Sequence, residues 1–281
     1  MTRFAVAGLL SVVALAPLVA ADGDKVRFAF AAGQSFDYRV LQTTTVTETT
    51  LDEQTKAPVL TTTVTKLSST KTWAVKDAPA GGGATLEMTI TAMKQEVTQT
   101  VGDKKPVAQV LDSANADDAK AMTYLNKPVV RVTLDAFGAV VAAKSDNPNA
   151  ADRLKAELPF RVTLPETLPA VNGTWARAFE LKLPPPLGTG EKFDATQTYT
   201  YRGAKDGFAV IGVATALKEP PTDAALMPGI VPMLWAGDVF VNAKTGRYHG
   251  AKLTVTKEVP NHQGEGTKLV YRSEYTEAAE K

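Results

Sequence analysis

Apolar and polar side chains take turns along most of this chain. In the run 84–92, Leu86, Met88, Ile90 and Ala92 alternate with Thr85, Glu87, Thr89 and Thr91. That period of two turns one face of an extended strand to a core and the other to water. The preceding run, 59–77, is apolar and Thr-rich, and Ala78-Pro79-Ala80-Gly81-Gly82-Gly83 joins the two. Two extended runs around a Pro/Gly tract predict a hairpin. In the return run the apolar phase slips from even positions to the odd positions Met93, Val97 and Val101. A one-residue slip turns the buried set outward unless a bulge absorbs it, so a bulge or sharp bend is expected near Ala92 to Lys94.

The rest of the chain follows the same grammar. Val26, Phe28 and Phe30 share one face of an extended run over 25–31, and Ala32-Gly33 turns it into a strand opened by Phe36, Tyr38 and Val40. Beyond Gln42 that strand becomes Thr-rich. Thr suits the solvent-facing side of a pleat, so strand ends projecting into water are expected, with an exposed tip at 52–57. Further extended runs are predicted over 107–111, 128–135, 139–143, 160–164, 174–183, 193–202, 207–218, 238–242, 247–259 and 268–276, followed by a tail, 277–281. Two short helices are predicted. One covers 116–125, capped by Asn115 or Ser113, with Ala119, Met122 and Leu125 at helical spacing; the other covers 147–158, opened by Asn147-Pro148-Asn149 and stopped by Pro159.

The expected fold is mostly β, with long antiparallel strands in two related curved sheets or half-barrels and a few short helices. The second helix, within 147–159, divides an N-terminal β unit (22–146) from a C-terminal one (160–276). An internal echo spans that boundary. Gly33-Gln34-Ser35-Phe36-Asp37 resembles Gly190-Glu191-Lys192-Phe193-Asp194, and 132–140 resembles 240–248, each reading strand, Asp or Asn, turn, Gly, strand. The echo points to an internal duplication.

Composition narrows the setting. Arg3, an apolar core over 4–15, Pro17, and small residues at Val19 and Ala21 predict a secretory signal, 1–21, cleaved after Ala21 or Ala20. The apolar core is shorter than the roughly 20 residues of a spanning helix. An exported protein, periplasmic or extracellular, with no transmembrane segment after cleavage is expected. There is no Cys, hence no disulfide, no thiolate metal site and no lipid-bearing cysteine. Lys plus Arg number 31 against 30 for Asp plus Glu, which leaves no global field to draw nucleic acid.

Candidate chemistry is sparse. His249 alternates with Tyr248 in a strand and His262 sits in a loop, with no metal-ligand spacing between them. No Gly-x-Ser-x-Gly elbow occurs, and neither Gly188-Thr189-Gly190 nor Gly81-Gly82-Gly83 opens a helix as a phosphate cradle would. No catalytic residue, metal site or cofactor is assigned. The stretch 224–235, Ala-Ala-Leu-Met-Pro-Gly-Ile-Val-Pro-Met-Leu-Trp, is apolar, unlike a strand and broken by Pro228, Gly229 and Pro232. It reads either as a loop with a helical turn that plugs one end of a sheet or as a Met-rich lip over a ligand cavity. The second reading makes Met227, Ile230, Met233, Leu234 and Trp235 candidate ligand contacts, with Trp73 and Trp175 lining the same space.

The punctuation also resembles a known family. Gly33, Phe36 and Tyr38 in Gly-x-x-Phe-x-Tyr, then Leu111-Asp112-Ser113, Asn126-Lys127-Pro128, Leu134-Asp135-x-x-Gly138, Leu164-Pro165-Glu166, Asn172-Gly173-Thr174-Trp175 and Asn242 through Gly246 are similar to a family of exported bacterial proteins of unknown function. That resemblance implies an exported antiparallel β protein and names no activity. More loosely, the architecture is similar to the open half-barrels of bacterial lipoprotein-carrier proteins. The leading reading is a non-catalytic binding or envelope-structural protein, its partners an apolar small molecule or lipid, or an envelope protein. An exported hydrolase with a loop-assembled site and a purely structural envelope component stand as the alternatives.

Overall fold

The structure is a computed structural model and describes residues 26–280; the expected signal segment lies outside the described residues. Twelve strands form one antiparallel sheet: β1 (Ser35–Leu51), β2 (Pro58–Asp77), β3 (Ala84–Val101), β4 (Val107–Asp112), β5 (Pro128–Leu134), β6 (Val140–Lys144), β7 (Thr174–Leu183), β8 (Glu191–Lys205), β9 (Phe208–Leu217), β10 (Ala236–Asn242), β11 (Arg247–Pro260) and β12 (Lys268–Ala279). Their order is β6-β5-β3-β2-β1-β12-β11-β10-β9-β8-β7, with β4 beside β5 on the edge of β3. The protein is mostly β with few short helices, as its alternation predicts. The two arms share a single sheet, because β1 pairs with β12 from Tyr38↔Ala279 to Thr49↔Lys268.

The phase slip in β3 is absorbed by a bulge. Thr70 faces Ala92 and Lys71 faces Ile90, leaving Thr91 unpaired, one position before the expected span. There β3 exchanges neighbours: it pairs with β5 up to Thr89 and with β4 from Lys94. Beyond the bulge the Thr-rich ends of β1 and β2 form a ribbon, half-exposed on both faces, closed by the expected tip at 52–57.

Several segments differ from the sequence reading. The run 26–31 has no ladder of its own. It is held by Phe28 N–H donating to Ala136 O at 3.0 Å and Ala29 N–H donating to Gly246 O at 3.1 Å. The two echoing turns therefore meet on this one segment. Each is tightened by its acid or amide: Asp135 Oδ1 accepts from the Phe137 and Ala139 amides, and Asn242 Oδ1 from those of Lys244 and Thr245. A Cβ at Gly138 (φ +87°) would strike the Phe28 ring, and one at Gly246 (φ +61°) the Arg27 carbonyl. The first helix, α1 (Ala116–Ala121), is shorter than its apolar spacing suggests; Met122 already caps it and is buried. Over 277–279 the expected tail is the end of β12: Glu277 pairs with Val40 and is buried, continuing the inward phase of Leu269, Tyr271, Ser273 and Tyr275.

The second helix, α2 (Pro148–Glu157), is capped by Asn147, whose Oδ1 accepts from the Asn149 amide at 3.0 Å. It packs against both β6 and β7, the two ends of the sheet, so the sheet curls until the helix bridges its edges. Past the helix the run 160–164, expected as a strand, instead starts in a turn over 159–161 and has no ladder; it runs on inside the curl with Leu158, Phe160, Val162 and Leu164 all buried. Phe160 is the hub of an aromatic cluster, with ring centroids 5.2 Å from Tyr248, 5.4 Å from Phe28 and 5.9 Å from Trp73. Leu158 and Arg161 hold φ of +62° and +61°, a conformation non-glycine residues adopt only where their surroundings enforce it. Burial of Leu158 and Phe160 supplies that enforcement and aims Arg161 into the interior.

Candidate functional site

A groove of about 640 Å³ opens between α2, the β7–β8 hairpin and the stretch 228–233. Its volume lies in the range of roughly 300–1,000 Å³ typical of small-molecule sites. The floor is apolar: Ala156, Phe179, Leu183, the Pro184–186 turn and Met233. Arg153, Lys155, Lys182 and Lys192 stand on the rim against Asp152 and Glu180. Lys192 pairs with Glu180 at 2.9 Å, and Lys155 and Lys182 share Asp152 at 3.2 and 3.6 Å. The rim is thus cationic over an apolar floor.

The wall at 224–233 is a run of single turns, Ala224–Leu226 and Val231–Met233 as 3-10 helix with α3 (Met227–Ile230) between them. Asp223 caps its start, accepting from the Ala225 amide at 2.9 Å. Ile230 anchors the run from below, fully buried against Leu181, Leu183, Ala195 and Ala156. The prolines keep it from lengthening, which is why an apolar stretch of this size forms neither a strand nor a regular helix.

Behind α2 the inward face of the sheet carries charge. Lys71 of β2 pairs with Glu277 of β12 at 2.5 Å, both side chains withdrawn from water. The Tyr275 and Tyr248 hydroxyls donate to Glu277 Oε2 at 2.7 and 2.9 Å. Burial pushes the Glu277 carboxyl up, but Lys71 and Arg161 more than reverse this and hold it below the usual carboxylate range. Burial works against the Lys71 ammonium too, and Glu277 outweighs it and raises Lys71 above its ordinary value. Burial, then the Glu277 charge, pushes the Tyr248 and Tyr275 hydroxyls up, so they stay protonated as donors. Nearer the groove, Arg161 pairs with Glu157 at 2.5 Å and lies 4.7 Å over the Tyr275 ring. Arg177 of β7 donates to the Lys155 and Ala156 carbonyls at 2.8 and 2.5 Å and to Gln197 Oε1 at 3.1 Å. It thereby satisfies carbonyls at the C-terminal end of α2, where a cation is favoured.

Two smaller cavities flank this network. A chamber of about 10 Å³ is walled by Glu157, Arg161, Gln197, Met233 and Trp235. A cleft of about 180 Å³ on the other side of α2 is walled by Lys71, Trp73, Met88, Glu157 and Arg161. Of the residues singled out from the sequence, Met233 lines both the groove and the chamber, and Trp235 lines the chamber. Ile230 lies beneath the groove, and Met227 and Leu234 are half-buried against the core. Trp73 faces the cleft, separated from Trp235 by Arg161 and Glu157. Trp175 stacks on Tyr199 and donates to Thr163 O at 2.7 Å, so its polar end is committed to holding the interior run. Lys71, Glu157, Arg161, Arg177 and Glu277 were not singled out. Their one trace in the sequence is a charge on the inward phase of a strand, at Lys71, Arg177 and Glu277.

The histidines stand apart from these cavities. His249 stacks on Phe208 with centroids 4.1 Å apart. His262 is buried, with Nε2 2.7 Å from Glu48 Oε1, and Gln263 donates to the same oxygen at 2.9 Å. No serine hydroxyl joins that pair among the described residues. No group of three or more His, Asp or Glu poised to hold a metal, and no helix long and apolar enough to cross a membrane, occurs among the described residues.

No protein-family model matches the chain, and no curated protein matches it. Among solved structures, the chain is similar to one described as showing lipid–protein interactions in lipovitellin, with 10% sequence identity and a TM-score of 0.47. The likeness covers 90% of this chain and 26% of that one. The chain thus spans about a quarter of that protein's length, and a similarity of this size carries no argument about what it binds.

Proposed function

We propose that this is an exported, non-catalytic binding protein that holds an apolar small molecule or lipid in the groove beside α2. The single feature that supports this reading is the groove: an apolar floor open to solvent, walled by Met233 and the prolines 228 and 232 and rimmed by cations. A sheet that curls to bury a core has no need to leave such a floor uncovered; methionine gives it a wall that adapts in shape, and proline one with fewer exposed backbone donors. The test is titration with an apolar dye, phenylnaphthylamine, whose fluorescence rises when it leaves water. The wild-type protein is expected to bind it saturably. Met233→Asp, which places a charge where the ligand lies, should weaken binding roughly tenfold or more with an unchanged circular dichroism spectrum. Absence of saturable binding, or equal binding by the variant, refutes the reading.

A further inference from the structure

The groove does not end at its floor. Ala156, Phe179 and Met233 line both the groove and the interior chamber, so these side chains lie between the two spaces. The chamber has too many donors. Trp235, 4% exposed, presents an Nε1–H with no acceptor, and Arg161 Nε–H is likewise unmatched. Gln197 cannot serve them, since its Oε1 already accepts from Arg177 and Tyr199 and its Nε2 donates to Thr215. A buried donor without an acceptor is unfavourable, and two residues on the wall of this one small space carry such donors, which favours an oxygen there from outside the protein.

Charge points the same way. Lys71 is matched by Glu277, and Glu157 serves Arg161 and, at 2.8 Å, the exposed Arg153 as well. Arg177 has only neutral acceptors: two carbonyls and an amide. Among the largely buried groups around the chamber, the cations Lys71, Arg161 and Arg177 thus outnumber the carboxylates Glu157 and Glu277 by one, which an occupant with a single negative charge neutralises. A phosphate head carries more charge and more oxygens than a carboxylate, and a space of about 10 Å³ would have to open further to take it. A carboxylate is flat and singly charged, and Met233, unbranched and half-buried, is the side chain able to move aside for it.

We infer that the ligand is a free fatty acid whose carboxylate enters the chamber and accepts hydrogen bonds from Arg161 and Trp235, while its chain lies along the groove over Phe179, Leu183 and Met233. This deepens the binding reading above and rests on it. The strained backbone at Arg161 fits the role, since it fixes the guanidinium in place before the ligand arrives.

The experiment compares dodecanoate with dodecanol, which share a chain and differ in the head, as competitors of the apolar dye. The wild-type protein should prefer the acid by at least about tenfold. Trp235→Phe keeps the ring and removes the donor. It should weaken the acid roughly ten- to a hundredfold and leave the alcohol unchanged. Trp73→Phe, on the far side of Arg161, should change neither. Lys182→Gln should also leave the preference for the acid intact, because the head is held inside and not at the rim. Equal affinity for acid and alcohol overturns the inference while the binding reading stands; so does a preference lost in Lys182→Gln and kept in Trp235→Phe. Failure of acid, alcohol and dye alike overturns the binding reading itself. Should Trp235→Phe not fold, the wild-type comparison of acid with alcohol decides the question alone.

Discussion

Replacing Glu277 with Gln isolates the centre of the interior network. The substitution keeps the shape and keeps an oxygen for the Tyr248 and Tyr275 hydroxyls, but it removes the charge facing Lys71 at 2.5 Å. Lys71 is then an ammonium about nine-tenths withdrawn from water, its side chain 13% exposed, with Arg161 nearby and no counter-ion. Breaking one partner out of a buried pair costs about 3–5 kcal/mol. Urea denaturation at neutral pH should show a loss of that size. The double variant Lys71→Met, Glu277→Gln, with no stranded charge, should recover about 2 kcal/mol or more of it. The acid limb supplies a second check. Because the folded-state Glu277 carboxyl lies below its ordinary value, its contribution is present above the unfolded carboxylate pKa of about 4.3 and is lost as pH falls through the folded one. Lys71, raised, contributes below about pH 10.4 and ceases to do so as pH rises through its folded value. Stability should therefore fall below about pH 4, less steeply in Glu277→Gln. A loss under about 1 kcal/mol, or strict additivity in the double variant, would refute the claim that this pair is buried and coupled.

Other perturbations test the rest of the frame. Phe160→Ala empties the hub of the aromatic cluster and should cost about 3–5 kcal/mol in urea denaturation. Arg177→Lys removes the fork that holds the carbonyls of Lys155 and Ala156, and should speed amide hydrogen exchange in α2 while leaving exchange in β9–β11 unchanged. Gly246→Ala, blocked by the Arg27 carbonyl, should lower the melting temperature more than Gly207→Ala, which shares a positive φ but opens onto free space. Equal shifts in the two glycine variants would show that 26–30 is not fastened to the turn.

Much of this architecture was legible because its causes are local. The bulge at Thr91 follows from a phase slip that the sequence displays, and α2 follows from Asn147-Pro148 at one end and Pro159 at the other. The apolar stretch 224–235 could be marked as neither strand nor helix by its prolines alone. The interior network was not legible, because its partners are brought together only by the closure of β1 on β12. Glu277 looks like the start of a polar tail until Lys71, some two hundred residues earlier, faces it. Arg161 falls in a run that reads as a plain strand, and nothing nearby in the sequence announces a left-handed backbone. The run 26–31 alternates like a strand, but the hydrogen bonds it makes go to two turns instead of a neighbour. Trp73 and Trp235, grouped from residue type, are separated by charges whose inward orientation only the folded sheet sets.

The central claim, a curled sheet that keeps an apolar ligand beside α2, is tested most directly by native mass spectrometry of the protein after gentle isolation from its own cells. The wild-type protein should carry an added mass of lipid size that dissociates on activation, and Met233→Asp prepared identically should show the bare chain. A bare mass for the wild-type protein, or the same adduct on both, would contradict the account.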